Sequence, residues 1–279
     1  MSKKFRFSKE SRERMNNFAI GEQPPKPEED HTPEQPQEPL PDLPLIVEAR
    51  TDVGRVRASN QDALIEGERL WGVADGMGGH NGGETASAGA RDGLIEVLEG
   101  KEPSLDALRD GIMEVNRRLY AQQMEDMSLS GMGTTLSALW LSDHFVYIGH
   151  VGDSRVYLMR DGKLKQMTDD HSLVAELFRL GQLTREQAAN HPMRNVITRA
   201  VGTEPGIDVD LMVEERRSGD LWLVCSDGLH GMVPDSKIEA VLAAKAPKAA
   251  ADQLLDMALK AGGRDNVSLV ILLDREGGQ

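Results

Sequence analysis

The chain has 279 residues, which suits one large domain with an added segment, and no run in it approaches the roughly 20 apolar residues that cross a bilayer. A formal net charge of −14 and an isoelectric point near 5.0 would repel nucleic acids and anionic membranes, so we expect no nucleic-acid partner and no membrane span. The lone cysteine, Cys225, cannot form an internal disulfide, and the N-terminus lacks the apolar segment of a secretion signal, so we expect a cytoplasmic protein.

We predict that residues 1–44 form a disordered basic head and a linker rich in proline and acidic residues. Residues 1–20 carry a net charge of +4, and residues 21–44 hold eight of the thirteen prolines with seven acidic residues and one lysine. A segment of this composition has too little apolar surface to fold. The basic head could dock on a partner or a lipid surface, but a solvated tail is the favoured interpretation.

From Leu45 to about residue 275 the sequence has the pattern of one folded domain. Short apolar runs in it predict β-strands, and Ser142-Asp143 and Asp161-Gly162 separate successive runs in the manner of hairpin turns. Hairpin-linked strands pair antiparallel. The predicted strands are Leu45–Ala49, Leu70–Ala74, Thr135–Leu141, Phe145–Val151, Arg155–Met159, Ile207–Val213, Leu221–Cys225 and Val267–Leu273.

Two helices are predicted among these strands. Apolar residues recur every three or four positions from Leu105 to Leu119, which indicates a helix with Ser104 as its N-cap. A second helix is expected near Ala249–Ala261. Because antiparallel groups of strands alternate with long helices, we predict an α+β domain in which helices cover sheets, rather than a parallel doubly wound domain.

Four aspartates stand beside apolar runs and close to glycines: Asp75, Asp153, Asp227 and Asp265. If the strands bring these residues together, their carboxylates repel one another unless cations neutralise them. Oxygen ligands without clustered His or Cys favour Mg²⁺, Mn²⁺ or Ca²⁺ over Zn²⁺ or copper. A role in supporting a turn would explain any one of these aspartates, whereas a metal site explains all four.

A glycine-rich run follows the first of these aspartates and leads into an alanine-rich helical stretch. Its sequence is Asp75-Gly76-Met77-Gly78-Gly79-His80-Asn81-Gly82-Gly83. The run imitates a dinucleotide-binding fingerprint but fails the pattern at Asn81. An aspartate at the strand end would also repel a pyrophosphate, whereas it would attract a divalent cation that in turn binds phosphate.

Six motifs occur between about Arg50 and Leu273. They are Arg57-Ala58-Ser59-Asn60-Gln61-Asp62, Val73-Ala74-Asp75-Gly76-Met77-Gly78-Gly79-His80, Gly133-Thr134-Thr135, Gly152-Asp153-Ser154-Arg155, Cys225-Ser226-Asp227-Gly228 and Gly263-Arg264-Asp265-Asn266-Val267-Ser268. Their order and spacing resemble those of the bacterial type 2C metal-dependent Ser/Thr protein phosphatases, the PPM family. The resemblance implies an α-β-β-α layered sandwich over residues 45–275, with two mainly antiparallel sheets flanked by helices. It also implies a flap at about residues 168–203 that selects substrates, although a purely structural helical insertion is an equally good interpretation.

The resemblance also implies five metal ligands. Asp75 is expected to bridge two Mn²⁺ or Mg²⁺ ions, the Gly76 carbonyl to bind one of them, and Asp227 and Asp265 to bind the other. Asp153 resembles a ligand of a third ion. Two close cations would make a bridging water nucleophilic near neutral pH and would shield the charge of the phosphate.

Further residues take roles from the same resemblance. Arg57 corresponds to a phosphate-binding arginine and Asp62 to an acidic residue that orients metal-held waters, so both join Asp75 as predicted catalytic residues. Asn266 is expected to hold the metal ligands in position without binding a metal ion itself. His80 is a candidate general acid, because Met77 stands where eukaryotic relatives carry a histidine, but a hydrogen bond within the glycine run is an equally good role for it.

The function implied is a metal-dependent protein serine/threonine phosphatase that uses a water bridging two divalent cations. We expect a monomeric enzyme of bacterial signal transduction, acting on phosphorylated Ser/Thr proteins and opposing a cognate kinase. A hydrolase of small phosphoesters stays open, and a non-catalytic phosphoprotein binder is disfavoured because the ligands are present. A cysteine phosphatase is disfavoured because Gly231 stands where its phosphate loop needs arginine.

Overall fold

The computed structural model describes residues 45–78 and 82–275. The predicted head and linker, residues 1–44, and His80 lie outside the described residues. Within them the strands, in chain order, are β1 (Leu45–Asp52), β2 (Asp62–Glu66), β3 (Leu70–Met77), β4 (Gly133–Thr134), β5 (Leu136–Leu141), β6 (Phe145–Val151), β7 (Arg155–Arg160), β8 (Lys163–Gln166), β9 (Asp210–Glu215), β10 (Leu221–Cys225) and β11 (Val267–Asp274).

The strands form two sheets. The first sheet has the order β1-β11-β10-β7-β8, and the second sheet has the order β2-β3-β5-β6-β9 with β4 beside β3. Every pairing between these strands is antiparallel. Both predicted hairpins are confirmed, since β5 pairs with β6 and β7 with β8. The second turn places Asp161 at φ 52° and Gly162 at φ 74°, as a tight hairpin turn of the primed type requires.

The helices lie outside the sheets. They are α1 (Gly82–Leu98), α2 (Leu105–Glu125), α3 (Leu173–Arg179), α4 (Arg185–Ala189), α5 (Asp227–His230), α6 (Asp235–Ala244) and α7 (Pro247–Lys260), and a 3₁₀ turn follows α2 at Met127–Leu129. The predicted cap of α2 is confirmed: the Ser104 hydroxyl accepts a hydrogen bond from the Ala107 amide at 3.2 Å. The helix predicted near Ala249–Ala261 corresponds to α7.

Three apolar layers hold these elements together. Helices α1 and α2 pack on the outer face of the second sheet through residues such as Leu94 and Ile112. The inner faces of the two sheets meet through residues such as Val73 and Val224. Helices α6 and α7 cover the outer face of the first sheet, where Leu254 is buried. The predicted α+β layered sandwich is therefore confirmed.

Strand β9 differs from its prediction. The apolar run Ile207–Val213 predicted a strand, but pairing starts only at Asp210 and continues to Glu215. Ile207 and Val209 are partly buried against the core under α1 and α2 without joining the sheet. Their apolar character therefore reports burial rather than strand pairing. Strands β2, β4 and β8 were not predicted; β8 reads Lys-Leu-Lys-Gln and carries almost no apolar signal.

No helix in residues 45–78 and 82–275 combines the length and the apolar character that a membrane-crossing segment needs.

Candidate metal centre

The end of β3 and the start of β2 place two carboxylates side by side. Asp62 and Asp75 are opposite each other in the antiparallel register of these strands. The backbone of Asp75 is held on its other side by Thr135, whose hydroxyl accepts the Asp75 amide at 2.9 Å and whose amide donates to the Asp75 carbonyl at 2.8 Å. The strand pairing therefore fixes the backbone positions of both aspartates.

The first sheet supplies two more aspartates at its own strand ends. Asp227 is the first residue of α5, just after β10, and Asp265 lies just before β11. Because β10 and β11 run antiparallel, the end of one lies beside the start of the other. A side chain at Gly228 would overlap the Asn266 carbonyl oxygen, so the glycine allows α5 to start directly against the segment that carries Asp265.

Asp153 lies where the chain passes from β6 in the second sheet to β7 in the first. Gly152 before it has φ 109°, a conformation that favours glycine. The Asp153 side chain is buried, and its backbone carbonyl accepts a hydrogen bond from His230 Nε2 at 3.0 Å. The crossover and the partly buried His230 together hold this aspartate at the end of the sandwich.

The aspartate cluster, defined as Asp62, Asp75, Asp153, Asp227 and Asp265, is electrostatically strained. Burial, followed by the charge of Asp62 and then of Asp227, raises the pKa of Asp75 well above its usual value. Burial, then Asp153 and Asp265, raises the pKa of Asp227 to about 8. Burial raises the pKa of Asp62 to about 6, and burial with nearby Asp170 raises the pKa of Asp153 to about 6. These shifts show that the carboxylates share one poorly solvated space.

Two carboxylate oxygens in the cluster fit a cation site. Asp62 Oδ1 and Asp227 Oδ1 are buried and have no hydrogen-bond partner in the part of the chain that the structure describes. A buried acceptor without a partner is costly, and a divalent cation or a water molecule held by one would satisfy it. As they stand, no three His, Cys, Asp or Glu side chains in residues 45–78 and 82–275 form a group that could hold a metal ion. Cation binding is therefore expected to draw the mutually repelling carboxylates together.

Arg57 lies in the β1–β2 loop at the edge of the cluster. Its Nη2 donates to Asp265 Oδ2 at 2.7 Å, and half of its side chain is exposed. Hydrogen bonding to Asp265 raises the pKa of the guanidinium, which stays charged. The exposed half of this planar group can contact a phosphate.

Asn266 fastens the loop that carries Arg57. Its Oδ1 accepts the Gln61 amide at 2.8 Å, and its Nδ2 donates to the carbonyls of Val53 and Ser59, each at 2.9 Å. The side chain is buried. These three bonds set the position of the loop relative to the neighbouring Asp265, which fits the supporting role predicted for Asn266.

Gly76 lies in close contact with the start of α1. A side chain at this position would overlap the Gly83 carbonyl oxygen, and the Gly76 amide donates to the Gln61 carbonyl at 3.0 Å. Glycine therefore allows β3, the β1–β2 loop and the helix to converge beside Asp75.

The predicted flap, residues 168–203, contains the short helices α3 and α4. A bridge of Ser172 with Ile197 joins two parts of the flap, and a bridge of Val201 with Thr134 joins its end to β4. Arg199, near its end, forms an ion pair with Asp210 at 2.7 Å. Much of the charge of this arginine is therefore balanced within the protein.

Ser226 contacts the cluster, although its sequence position suggested no role for it. Its hydroxyl donates to Asp62 Oδ2 at 2.9 Å and accepts the Ser268 amide at 3.0 Å, so it links a carboxylate of the second sheet to two strands of the first. Only its place in the motif before Asp227 could have drawn attention to it. Cys225 is buried, and burial raises the pKa of its thiol. These properties oppose a nucleophilic role.

Comparison with known proteins gives consistent matches over this domain. A family model described as Protein phosphatase 2C matches residues 54–261. The chain is 40% identical over 244 residues to the serine/threonine phosphatase stp of Listeria monocytogenes, covering 83% of this chain and 96% of that protein. The crystal structure of the Mycobacterium tuberculosis serine/threonine phosphatase PstP/Ppp is similar with a TM-score of 0.79 and 39% identity, covering 83% of this chain and 99% of that one. The catalytic domain of PstP in complex with two manganese ions has a TM-score of 0.77 and 37% identity, with the same coverage.

Proposed function

Because this chain belongs to the protein phosphatase 2C family, and is a metal-dependent protein serine/threonine phosphatase, we propose that the aspartate cluster is its active site. The observation that carries this proposal is the pair of buried oxygens without partners, Asp62 Oδ1 and Asp227 Oδ1, among carboxylates that raise each other's pKa. Such an arrangement favours the binding of divalent cations over an empty site.

The ligands of the cations are proposed as follows. Asp75 and the Gly76 carbonyl from β3 would hold two Mn²⁺ or Mg²⁺ ions together with Asp227 and Asp265 from the first sheet, and Asp153 would contribute to a site for a third. When bound, the ions supply positive charge and the Lewis acidity that activates a water molecule for attack on phosphorus. The manganese-bound PstP domain supports this choice of metal.

The remaining steps are assigned to side chains of the chain itself. Arg57 is half exposed beside Asp265, so its guanidinium can bind two phosphoryl oxygens of the substrate and stabilise the charge that they gain during attack. Asp62 accepts the Ser226 hydroxyl with one oxygen, which leaves the other free to accept a hydrogen bond from the attacking water and to orient it. In this mechanism Arg57 positions the phosphate and Asp62 positions the water.

The biological setting is proposed by analogy. Relatives named serine/threonine phosphatases from bacteria support a cytoplasmic signalling enzyme whose substrates are phosphorylated proteins and whose counterpart is a Ser/Thr kinase. We propose that it acts as a monomer, because the cluster is assembled from the two sheets of one chain.

The test of the site is Asp227→Asn, which keeps the size of the side chain and removes its charge. We expect kcat/KM on a phosphothreonine peptide with Mn²⁺ to fall by about 100-fold or more, because a cation ligand is lost. Calorimetric titration with Mn²⁺ should show weaker binding. The control is Asp143→Asn, an exposed aspartate in the β5–β6 turn, at the end of β6 away from Asp153.

Equal rates for the Asp227→Asn variant and the parent would show that the assigned centre is wrong. The same assay with nucleotide and sugar phosphates separates the remaining classes of function. A hydrolase of small phosphoesters would turn over those compounds and leave phosphopeptides intact, and a phosphoprotein binder would hydrolyse neither.

A further inference from the structure

Three arginines lie on two segments that touch at the edge of the aspartate cluster. Arg55 and Arg57 belong to the β1–β2 loop, and Arg264 precedes Asp265 in the segment before β11. The two segments are joined by a hydrogen bond from the Arg55 amide to the Gly263 carbonyl at 2.7 Å and by the Arg57–Asp265 ion pair. We call Arg55, Arg57 and Arg264 the arginine rim.

Two members of the arginine rim lack a balancing charge. The protein is strongly acidic, and most of the described arginines elsewhere, such as Arg118 and Arg160, pair with carboxylates, whereas Arg179, Arg194 and Arg275 do not. Within residues 45–78 and 82–275, Arg55 and Arg264 form no ion pair, and both are exposed. The rim is therefore a local positive region on an acidic molecule, next to the proposed catalytic residues.

The backbone around these arginines holds them in place. Arg55 Nε donates to the Leu259 carbonyl at the end of α7, at 3.0 Å, which anchors the side chain and leaves the outer part of its guanidinium without a carboxylate. Gly263 has φ 51°, and a side chain there would come within 3.0 Å of Arg55 Cγ. The glycine thus allows the segment before β11, which continues into Arg264, to pass close to Arg55.

We infer that Arg55 and Arg264 bind a second anionic group of the substrate, placed a few residues from the phosphorylated Ser or Thr. This inference rests on the proposed function, in which Arg57 binds the phosphoryl group. Arg264 is adjacent in sequence to Asp265, the partner of Arg57, and an extended peptide advances about 3.3–3.6 Å per residue. A carboxylate or a second phosphate on a nearby residue could therefore reach the rim while the phosphoryl group occupies the centre.

The chemistry of the rim favours such a ligand. Arginine binds carboxylate and phosphate through paired hydrogen bonds, and two unbalanced guanidinium groups offset the repulsion that an acidic peptide meets on a chain of net charge −14. The rim should thus select acidic sequences around the phosphorylated residue.

The experiment uses the full chain with Mn²⁺ and a set of phosphothreonine peptides. A single Glu is moved through the three positions on each side of the phosphothreonine, with Gln at the same position as reference, and a phosphonate side chain replaces Glu in a second set. At the best position we expect the anionic peptide to have about fivefold higher kcat/KM, mainly through a lower KM, and this ratio should shrink in high salt. The two sets distinguish a carboxylate from a phosphate as the favoured anion.

The variants test whether the rim causes this ratio. Arg264→Gln breaks no hydrogen bond within the described residues and should lower the ratio of kcat/KM between the anionic and the Gln peptide. Arg264→Lys should retain most of this ratio. Arg55→Gln combined with Arg264→Gln should bring the ratio close to one. Arg109→Gln is the matched control, since Arg109 is an exposed arginine of α2 and its removal should leave the ratio as in the parent.

The outcomes separate this inference from the proposed function. Equal kcat/KM for the Gln peptides and for both anionic sets at all six positions, or a ratio that persists in the double variant, overturns the inference and shows that the arginines are ordinary solvated surface residues. Hydrolysis of none of the peptides by the parent overturns the proposed function instead.

Discussion

At the scale of single residues, the aspartates could be recognised from the sequence but their partners could not. Asp75 lies near the end of β3 and Asp227 follows β10 after one residue, and ends of neighbouring strands meet, so the sequence supported the prediction of a shared site. The role of Ser226 depends on a hydrogen bond to Asp62, which lies 164 positions away in the sequence. No local sequence pattern predicts this hydrogen bond, and none predicts that Arg264 forms no ion pair within the described residues.

Arg57→Lys tests whether the shape of the guanidinium matters beyond its charge. Lysine keeps the positive charge but offers no planar pair of donors, so we expect kcat/KM on a phosphothreonine peptide to fall by about 10- to 100-fold, the value of one or two charge-assisted hydrogen bonds. Circular dichroism and the melting temperature should change little, because half of the side chain is exposed. A variant as active as the parent would remove Arg57 from the phosphate site.

At the scale of elements, the strand predictions succeeded where the residues of an apolar run also pair with a neighbouring strand. The prediction was wrong at β9, where Ile207 and Val209 pack on the core without pairing, because burial and pairing leave the same apolar signal. Strand β8 was missed for the opposite reason, since it is an edge strand held by its hairpin turn and needs few apolar residues. The turn at Asp161-Gly162 was the only sign of it.

Gly76→Ala tests the close contact of β3 with the start of α1. The added methyl group would overlap the Gly83 carbonyl oxygen, so we expect a loss of about 2 kcal/mol or more in unfolding free energy and a loss of activity, as the chain beside Asp75 shifts. Urea denaturation and the peptide assay measure the two effects.

The control for this substitution is Gly206→Ala. A side chain at Gly206 meets no atom within 4 Å, and the residue does not have a positive φ. The unfolding free energy of this variant should therefore stay within about 0.5 kcal/mol of that of the parent. Similar losses for both variants would show that the contact at Gly76 is not the cause.

At the scale of the whole molecule, the order of strands in the sheets was beyond sequence analysis. The sequence indicated antiparallel pairs, but the first sheet joins β1 to β11 and places β10 between β11 and β7. These strand pairings depend on the packing of all three apolar layers at once, because each sheet must bury both of its faces. The layered fold itself was predictable because the family resemblance extended over nearly the whole domain.

The stability of the metal-free protein should depend on pH through the aspartate cluster. The pKa of Asp227 is about 8 in the folded chain and about 4 in the unfolded chain, so between these values unfolding releases a proton, and stability falls as the pH rises from 4 towards 8. Asp227→Asn removes this contribution. We expect the metal-free variant to gain about 1–3 kcal/mol relative to the parent between pH 5 and pH 8, measured by urea denaturation in EDTA.

Manganese should act in the opposite direction. At pH 8, Mn²⁺ binds the ionised carboxylates of the folded parent and should raise its melting temperature, whereas EDTA reverses the gain and Asp227→Asn reduces it. A parent whose melting temperature is the same with Mn²⁺ and with EDTA would contradict the assignment of the cluster as a cation site.

The pairing of β1 with β11 has a consequence for synthesis of the protein. Leu45 is the register partner of Asp274, so the first and last strands of the domain are neighbours, and the segment that contacts the Arg57 loop is among the last parts of the domain to be made. Chains grow at about 5–20 residues per second, and early elements can form while later ones are still missing. An incomplete domain that still lacks Asp265 and β11 should therefore show no phosphatase activity.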